Sequence, residues 1–246
     1  MADPLDLSGK AVIVTGGCRG VGRGIAERFL AAGAGVVVCC RHEPETMPRS
    51  GDSEALFVAA DVREPEEIDP VIGFTAERLG RLDVLVNDAG GAPPADSATA
   101  SPKFSNAIIT LNLVAPLVFA QKANAVMQQQ AEGGVVINIA SVSGIRPSPG
   151  AAAYGAAKAG VMALTRCAAI EAAPANVRVN AVAPSLAVHE HLAKVMPQEA
   201  IDELVVREAF GRSAEPWEVA NVIVFLASDY SAYMTGEVVS VSSQHP

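Results

Sequence analysis

The chain has 246 residues, of which half are hydrophobic and only 4% aromatic, and its formal net charge is -9. A chain of this length can bury most of its apolar surface without disulfide or metal staples. The acidic balance argues against nucleic acid as a partner, because binding to phosphates needs a clustered basic face.

Short runs rich in Val and Ile alternate with longer Ala-rich stretches along the chain. The predicted strands are, in chain order, AVIVTGG, GVVVCC, ALFVAAD, LDVLVNDAG, VVINIAS, VRVNAVAP and EVVSVSS. Most are continuous apolar runs, which is typical of parallel strands buried on both faces. The predicted helices lie between them, at about 20–32, 66–79, 102–130, 152–172 and 216–228. This alternation predicts an α/β fold, in which residues 1–246 form a single doubly wound Rossmann-type domain with a parallel sheet of about seven strands.

Two segments fit the alternation less well. Pro70 falls inside a predicted helix and should break or delay it. The segment at about 185–212 has no clear periodicity, and we predict that it forms a mobile substrate lid. Its apolar residues favour a lipophilic substrate, although they would serve equally well as the lid's own core; they are Leu186, Leu192, Val195, Met196, Leu204 and Val205.

Targeting signals and cysteine usage bear on the compartment. The N-terminus, MADPLDLSGK, has no apolar signal core, and no apolar run reaches the roughly 18 residues that span a bilayer. We therefore expect a cytoplasmic protein that does not bind membranes. Cys18, Cys39, Cys40 and Cys167 form no CxxC motif, and they suit neither a disulfide framework nor a zinc knuckle. Buried free thiols in a reducing compartment are the expectation.

The first predicted strand leads into TGGCRGVG, Thr15 to Gly22, and then into a helix. Gly16, Gly20 and Gly22 would let the backbone turn tightly and approach a pyrophosphate, which the helix N-terminus then faces with free amides and the positive end of its dipole. A purely structural strand-to-helix turn is the alternative. The position after the first strand of a βαβ unit favours nucleotide binding.

The end of the second predicted strand, VVVCCRHE, indicates which nucleotide is bound. An NAD site usually places an acid about 20 residues after the glycines, to bind the ribose hydroxyls. Cys40 stands near that position, and Arg41 follows it. With Arg19 in the glycine loop, two guanidinium groups would suit a 2′-phosphate, so NADP(H) is favoured over NAD(H). In the alternative, both arginines are solvated and Glu43 serves as the acid.

In the stretch AAYGAAKAG, Tyr154 and Lys158 are four residues apart and share one helix face. A tyrosine pKa of about 10 makes a poor base at neutral pH, and a nearby ammonium can lower that pKa by roughly 1–3 units. The pair would then exchange a proton with a carbinol oxygen, unless it is a chance pair on a solvated face. Ser141 ends a strand at the ligand-binding edge of the sheet and can donate a hydrogen bond to a substrate oxygen. Asn112 is an amide in a largely apolar helix, and a buried amide needs partners.

Taken in order, these motifs resemble the short-chain dehydrogenase/reductase family over nearly the whole chain. The matching pieces are TGGCRGVG, ADV, NDAG, the asparagine of LNL, the serine of IAS, YGAAK and VRVNAVAP. The resemblance implies a catalytic tetrad of Asn112, Ser141, Tyr154 and Lys158. Tyr154 would be the general acid/base, and Lys158 would hold the nicotinamide ribose and lower the tyrosine pKa. Ser141 would orient the substrate oxygen, and Asn112 would support a proton-relay water.

The resemblance also implies the cofactor contacts and the assembly. The implied cofactor-binding residues are Gly16, Arg19, Gly20, Val21, Gly22, Arg41, Asp61, Val62, Asn87, Ala89, Gly90, Tyr154, Lys158 and Pro184. The implied activity is hydride transfer between NAD(P)(H) and a small-molecule carbonyl or secondary alcohol. A non-catalytic NAD(P)-binding sensor or scaffold of the same fold is the alternative. Members of the family usually form tetramers or dimers, partly through the tyrosine helix, so we expect a homo-oligomer.

Three places depart from the family pattern. Asp88 stands where the family usually has a second asparagine, and a carboxylate at a strand end must be paired, solvated or protonated. Ser185 replaces a glycine, and His189 stands about where a threonine would meet the nicotinamide amide. His189 and His191 flank Glu190, but no further ligand cluster is evident, so we expect no metal. The C-terminus, VVSVSSQHP, lacks the usual Asp-Gly-Gly.

Overall fold

The computed structural model describes residues 5–244. Within that range the chain forms nine strands and eight α-helices. The strands are β1 (Ala11–Thr15), β2 (Gly35–Cys40), β3 (Arg49–Ser50), β4 (Ser53–Glu54), β5 (Leu56–Ala59), β6 (Val84–Asn87), β7 (Gly134–Ile139), β8 (Val177–Pro184) and β9 (Val238–Val241). The helices are α1 (Gly20–Ala31), α2 (Ile68–Leu79), α3 (Pro102–Ile109), α4 (Ala115–Met127), α5 (Ala152–Ala172), α6 (Glu190–Val195), α7 (Gln198–Val205) and α8 (Pro216–Ala227).

Seven of the strands form one parallel sheet, in the order β5-β2-β1-β6-β7-β8-β9. The chain winds outward from β1 to β5, then returns to the centre and pairs β6 with the other side of β1. This reversal between β1 and β6 is the point at which an open α/β sheet leaves a crevice for ligands, beyond the carboxyl ends of its strands. The predicted fold class is therefore confirmed.

Helices cover both faces of the sheet, because successive strand residues point to opposite sides. Val12 and Val14 point to the face covered by α1 and α8, where they pack with Phe29 and Ile223. The intervening Ile13 points to the face covered by α2, α4 and α5. Both faces of each central strand are thus buried, which explains why these strands read as unbroken apolar runs.

Helix boundaries follow local chemistry. The helix α2 begins at Ile68, which places Pro70 in the first turn, where an N–H would lack an intrahelical partner in any case. The prediction of a delayed start is correct. The helix predicted at about 102–130 ends at Met127, and a π-helical turn, Thr110–Val114, interrupts it. The antiparallel β3–β4 hairpin has too few residues to leave a periodic signal.

The stretch Pro102–Met127 is long and apolar enough, by length and composition alone, to cross a membrane. It is not an unbroken apolar run, because polar residues such as Asn106, Asn112 and Lys122 interrupt it. Core helices of globular domains pass the same test, and here Phe119 and Met127 are buried against the sheet. The cytoplasmic location stays a prediction.

The cysteines differ from expectation. Cys18 and Cys40 form a disulfide, with Cα atoms 6.4 Å apart. Cys39 is a buried free thiol, and Cys167 is free but exposed. The prediction of four buried free thiols is therefore wrong. The physical reason is that the glycine loop folds back over the end of β2, which brings together two residues that lie 22 apart in sequence.

Candidate active site

The carboxyl ends of β1, β6 and β7 bring three loops together. Thr15, the last residue of β1, accepts hydrogen bonds at Oγ1 from the backbone N–H groups of Asp88 and Ala89, each at 3.0 Å. This ties the NDAG turn after β6 to the start of the glycine loop. Ser141 follows β7 at the same edge of the sheet. The crevice predicted from the strand order therefore contains the motifs that the sequence singles out.

The glycine loop is shaped by close backbone contacts. Gly16 and Gly20 have φ angles of +70° and +58°, in the left-handed region that favours glycine. A Cβ added at Gly16 would lie 3.0 Å from Ala89 Cα. The helix α1 begins at Gly20 with no acidic residue in its first turn. A tight turn with glycine at its positive-φ positions, which leads into a helix N-terminus, fits the diphosphate of a dinucleotide.

Tyr154 lies in the first turn of α5, and its hydroxyl forms a hydrogen bond with Ser141. Burial raises the pKa of Tyr154 above its ordinary value; the hydrogen bond from Ser141 opposes this rise, and the charge of Asp88 adds to it. The sequence predicts instead that the nearby ammonium lowers this pKa. In this protein the loss of water around the phenol has the larger effect.

Lys158 is almost fully buried one helical turn further along α5. Its Nζ atom donates a hydrogen bond of 2.7 Å to the carbonyl of Ile139, at the end of β7. The same atom lies 5.6 Å from the centre of the Tyr154 ring. Burial lowers the pKa of Lys158 to about 8, although the charge of Asp88 acts to raise it. The strand end thus holds the amino group beside the tyrosine.

Asn112 lies in the π-helical turn Thr110–Val114 and is completely buried. Its Nδ2 donates to the carbonyls of Gly91 and Ile108, at 3.0 and 2.9 Å, and its Oδ1 accepts from the Gly91 N–H at 2.8 Å. The wider turn aims this amide at the loop after β6, and π-bulges of this kind are frequent at functional sites. The side chain joins that loop to the helix; its role in a proton-relay water stays a prediction.

Asp88 places a carboxyl group among these residues. It accepts a hydrogen bond from the Gly22 backbone N–H and interacts electrostatically with Lys158. A Cβ added at Gly22 would overlap the Asp88 Oδ2 atom, so glycine is required for this approach. Burial raises the pKa of Asp88 to about 7, and the lysine charge and the Gly22 amide only partly offset the effect.

Charged residues surround the ends of β2 and β5. Arg19 and Arg41 are exposed. The Nε atom of Arg63 donates a hydrogen bond of 2.9 Å to Asp61 Oδ1. This contact with the guanidinium holds the pKa of Asp61 below its ordinary value. Arg41 also acts electrostatically on Asp61. Sequence reasoning missed Arg63, although its position two residues after Asp61 is a usable signal.

Two predicted cofactor residues are held inside the fold. Asn87 donates from Nδ2 to the carbonyl of Pro116 at 3.1 Å and to Asn138 Oδ1 at 2.9 Å, so its side chain joins β6 to β7 and α4. Pro184 is buried at the end of β8. Cofactor contacts by these two residues stay predictions, as do those of Val21, Val62 and Gly90.

The segment predicted as a lid begins against the glycine loop. His189 caps α6, because its Nδ1 accepts the Leu192 N–H at 3.2 Å. Its ring also covers Gly20, where an added Cβ would lie 2.9 Å from Cε1 and Nε2. The side chains of Glu190 and His191 lie outside those that the structure describes. Among the described residues, no group of three or more His, Cys, Asp or Glu side chains is placed to hold a metal ion.

A buried glutamate connects the far end of this segment to the C-terminus. Glu208 accepts hydrogen bonds from Ser243 Oγ at 2.7 Å and Gln244 Nε2 at 2.9 Å, and also from the side chain of Ser185. Its carboxylate also accepts the Leu186 backbone N–H. Two departures from the family pattern, Ser185 and the Ser-Ser-Gln terminus, therefore bind one carboxylate. Sequence reasoning missed Glu208, and no local motif marks it.

A pocket beside Tyr154 is bounded by the loop after β6, by α3 and by the start of α5. Most of its lining is small or apolar. The lining residues are Ala92, Pro93, Ala95, Ser97, Ala100, Phe104, Ser105, Ile108, Gly150, Ala151, Ala152, Ala153 and Tyr154 itself.

Known proteins resemble this chain over almost its full length. The family model described as "Enoyl-(Acyl carrier protein) reductase" matches residues 16–243. A Mycobacterium tuberculosis protein, "(5R,7aS)-5-hydroxy-7a-methyl-1-oxo-2,3,5,6,7,7a-hexahydro-1H-indene-carboxyl-CoA reductase", is 45% identical over 98% of this chain and 94% of its own length. A 3-oxoacyl-[acyl-carrier-protein] reductase from Thermotoga maritima is 34% identical over 96% of this chain and 97% of its own.

Solved structures agree with the sequence comparisons. A short chain dehydrogenase from Mycobacterium smegmatis is similar with a TM-score of 0.83 and 42% identity, covering 98% of this chain and 95% of that one. A putative short-chain alcohol dehydrogenase from Sinorhizobium meliloti gives a TM-score of 0.86 at 31% identity, covering 97% and 96% of the two chains.

Proposed function

The chain belongs to the short-chain dehydrogenase/reductase family, and on this basis we propose that it moves hydride between NADP(H) and a carbonyl or secondary-alcohol carbon, with Tyr154 as the general acid/base. The observation that carries the proposal is the grouping of a proton donor, an oxygen-binding hydroxyl and a buried amine. Tyr154 is hydrogen-bonded to Ser141, and Lys158 Nζ lies 5.6 Å from the Tyr154 ring centre.

The route of the transferred proton follows from this grouping. In the reducing direction, the Tyr154 hydroxyl gives its proton to the substrate oxygen as that oxygen gains negative charge. Ser141 donates a hydrogen bond to the same oxygen and so fixes its position. The raised pKa of Tyr154 keeps the proton on the phenol until the substrate oxygen becomes the stronger base. When it carries its charge, Lys158 favours the phenolate that remains.

The glycine loop and the NDAG turn would hold the dinucleotide, whose nicotinamide supplies the hydride when it is bound. We propose that Gly16, Gly20 and the start of α1 receive the diphosphate. Lys158 would reach the nicotinamide ribose. The absence of an acid at position 40 and the exposed Arg19 and Arg41 support NADP(H) over NAD(H).

This preference is tested by measuring kcat/KM for NADPH and for NADH, with the substrate at the same degree of saturation in both measurements. We expect a higher kcat/KM with NADPH, and Arg41→Ala should reduce that advantage, because it removes one of the two phosphate-binding guanidinium groups. A clear NADH preference in the unaltered protein would contradict the assignment.

For the substrate, we propose a ring ketone or hydroxy compound of lipophilic character, carried as a coenzyme A thioester. Two observations support this class: the 45% identical relative is named for a bicyclic carboxyl-CoA substrate, and the pocket beside Tyr154 has a largely small and apolar lining. A panel of bicyclic ketones, offered free and as thioesters, tests it. Equal or better turnover of short, polar aldehydes would contradict the proposed class.

Tyr154→Phe tests the reaction itself. The change removes the proton donor and keeps the ring, so kcat should fall by about 10²–10⁴-fold. Tyr230→Phe, at an exposed tyrosine, is the matched control and should leave kcat unchanged. If the protein binds NADPH, turns over none of the panel and is unaffected by Tyr154→Phe, the non-catalytic sensor is the better description.

A further inference from the structure

The disulfide joins two segments of the proposed cofactor site. Cys18 lies in the glycine loop, and Cys40 is the last residue of β2. The loop also touches this strand through the Gly16 N–H, which donates to the carbonyl of Cys39 at 2.9 Å. The Cys18 N–H lies 3.3 Å from Cys40 Sγ. Every one of these contacts draws the loop toward the strand end.

The other two cysteines are placed differently. The thiol of Cys39 points into the core, where burial raises its pKa to about 12 and leaves it unreactive. Cys167 is exposed on α5 and is a free thiol. Cys40, by contrast, is half-buried at the strand end, and its partner Cys18 is 7% exposed.

The residues that follow the two cysteines in sequence connect the disulfide to the proposed cofactor site. Arg19 follows Cys18 directly, and Arg41 follows Cys40. The crosslink therefore joins the two backbone segments that carry Arg19 and Arg41, the residues to which the proposed function assigns the 2′-phosphate. A disulfide keeps its Cα atoms within about 4.4–6.8 Å of each other, and here they are 6.4 Å apart. While the bond is closed, these two segments cannot move apart to admit a phosphate between them.

We propose that Cys18 and Cys40 form a reversible thiol modification site that controls NADP(H) binding. The closed disulfide weakens binding, and the dithiol form binds the cofactor more tightly. This inference rests on the proposed function. In reducing compartments disulfides are usually transient or redox-sensing, and a pair of this kind responds to a change in the thiol pool.

The chemistry is ordinary thiol–disulfide exchange. A dithiol reductant attacks one sulfur of the pair through its thiolate, forming a mixed disulfide and releasing the other cysteine as a thiolate. The second thiol of the reductant then displaces the remaining cysteine and closes its own disulfide. Two electrons and two protons pass from the reductant to the cysteines. A disulfide oxidant, such as glutathione disulfide, reverses each step and leaves as two thiols.

The experiment compares the full-length protein after treatment with dithiothreitol and after treatment with glutathione disulfide, each reagent then being removed. Free thiols are titrated in denaturant, so that the buried Cys39 is counted. The crosslinked peptide is mapped by mass spectrometry, and the NADPH Kd is measured by fluorescence titration. We expect four thiols in the reduced protein, two in the oxidised protein, and a Kd at least about 10-fold higher after oxidation.

Two variants test whether the change in the NADPH Kd comes from the Cys18–Cys40 pair. In Cys18→Ser/Cys40→Ser the NADPH Kd should be the same after either treatment. Cys167→Ser should respond as the unaltered protein does. If no Cys18–Cys40 peptide forms, or if it forms and the Kd does not change, the inference is wrong. If the reduced protein binds neither NADPH nor NADH, it is the proposed function that fails.

Discussion

Asp88 gives the proposed proton-transfer site a second titrating group near neutral pH. Its carboxyl accepts the Gly22 amide and faces Lys158, and its pKa is raised to about 7 by burial. When Asp88 ionises, its charge raises the pKa values of both Lys158 and Tyr154. The usual asparagine has no charge to exert this effect, so the pH dependence of catalysis in this protein should include a contribution that the amide would lack.

Asp88→Asn therefore has a directional prediction. The amide keeps the size of the side chain and removes the negative charge, so the pKa values of Tyr154 and Lys158 should both fall. The alkaline limb of kcat for carbonyl reduction, which requires a protonated tyrosine, should move to lower pH. The measurement is kcat at saturating substrate from pH 5 to 10. Asp69→Asn, which removes an exposed carboxylate from α2, is the control and should not move the limb.

The stability of the same variant gives an independent readout. A carboxyl whose folded pKa is about 7, against an ordinary value of 3.8, binds more protons in the folded state between those two values. The free energy of unfolding of the unaltered protein should therefore fall, relative to Asp88→Asn, as the pH rises from about 4 to about 7. Urea unfolding at pH 4, 5.5 and 8 measures it; a pH-independent difference would mean that Asp88 is not buried in its neutral form.

At the scale of elements, the sheet was predictable from the sequence, and the lid segment was not. Unbroken apolar runs such as AVIVT indicate strands buried on both faces, and the resemblance of the motifs to the short-chain dehydrogenase/reductase family is what implies the tetrad. The structure of residues 185–212 depends on contacts that have no periodic signal. At one end of this segment the His189 ring packs over Gly20, and at the other end Glu208 accepts a hydrogen bond from Ser243. The disulfide between Cys18 and Cys40 could not be predicted for the same reason. It depends on how the glycine loop folds back over the end of β2, and no local sequence pattern indicates that.

His189 has two separable roles in this segment: it caps α6 through Nδ1, and its ring covers Gly20 at the start of α1. His189→Asn keeps a capping side chain and removes the ring, whereas His189→Ala removes both. If the ring contacts the bound diphosphate, both variants should raise the KM for NADPH by several-fold. The alanine variant alone should also raise the substrate KM, because it weakens the helix cap. Unchanged kinetics for cofactor and substrate in both variants would rule out a role for the ring.

Glu208 should be the group that closes the other end of the lid segment. Its carboxylate accepts hydrogen bonds from Ser185, Ser243 and Gln244, and these hold its pKa below the ordinary value even though burial acts to raise it. Glu208→Ala leaves several donors without a partner and should cost about 2–3 kcal/mol of stability, in the range found for hydrogen bonds to charged groups. Substrate KM should rise more than cofactor KM, because the segment is proposed to cover the substrate.

Chemical denaturation and steady-state kinetics measure the two effects. Glu203→Ala, at an exposed acid on α7, is the control for loss of charge from the same segment and should change neither quantity appreciably. Equal stability of Glu208→Ala and the unaltered protein would show that the network does not hold the segment.

At the scale of the whole molecule, α5 presents a stripe of small residues to solvent on the side away from Lys158. Its exposed members recur at helical spacing, at Ala152, Ala156, Ala159 and Ala163, and the larger exposed residues Arg166, Cys167 and Ile170 continue the same face. On the neighbouring helix, Val114 and Leu117 are also exposed. The exposed alanines of α5 let a partner helix approach closely. The arrangement supports the proposed homo-oligomer, in which the tyrosine helix packs against that of another copy.

Ala163→Arg tests the assembly, because a long charged side chain in the middle of the stripe would separate two closely packed helices and bury an unpaired charge. Light scattering after size-exclusion chromatography should give two or four times the chain mass for the unaltered protein and a smaller assembly for the variant. Ala76→Arg makes the same change on the exposed face of α2 and should leave the mass unchanged. An oligomer that persists in Ala163→Arg would place the interface elsewhere on the surface, and a monomeric unaltered protein would mean that the stripe has no partner. Since Tyr154 and Lys158 lie on the same helix, loss of assembly should also lower kcat if packing against another copy is what fixes that helix.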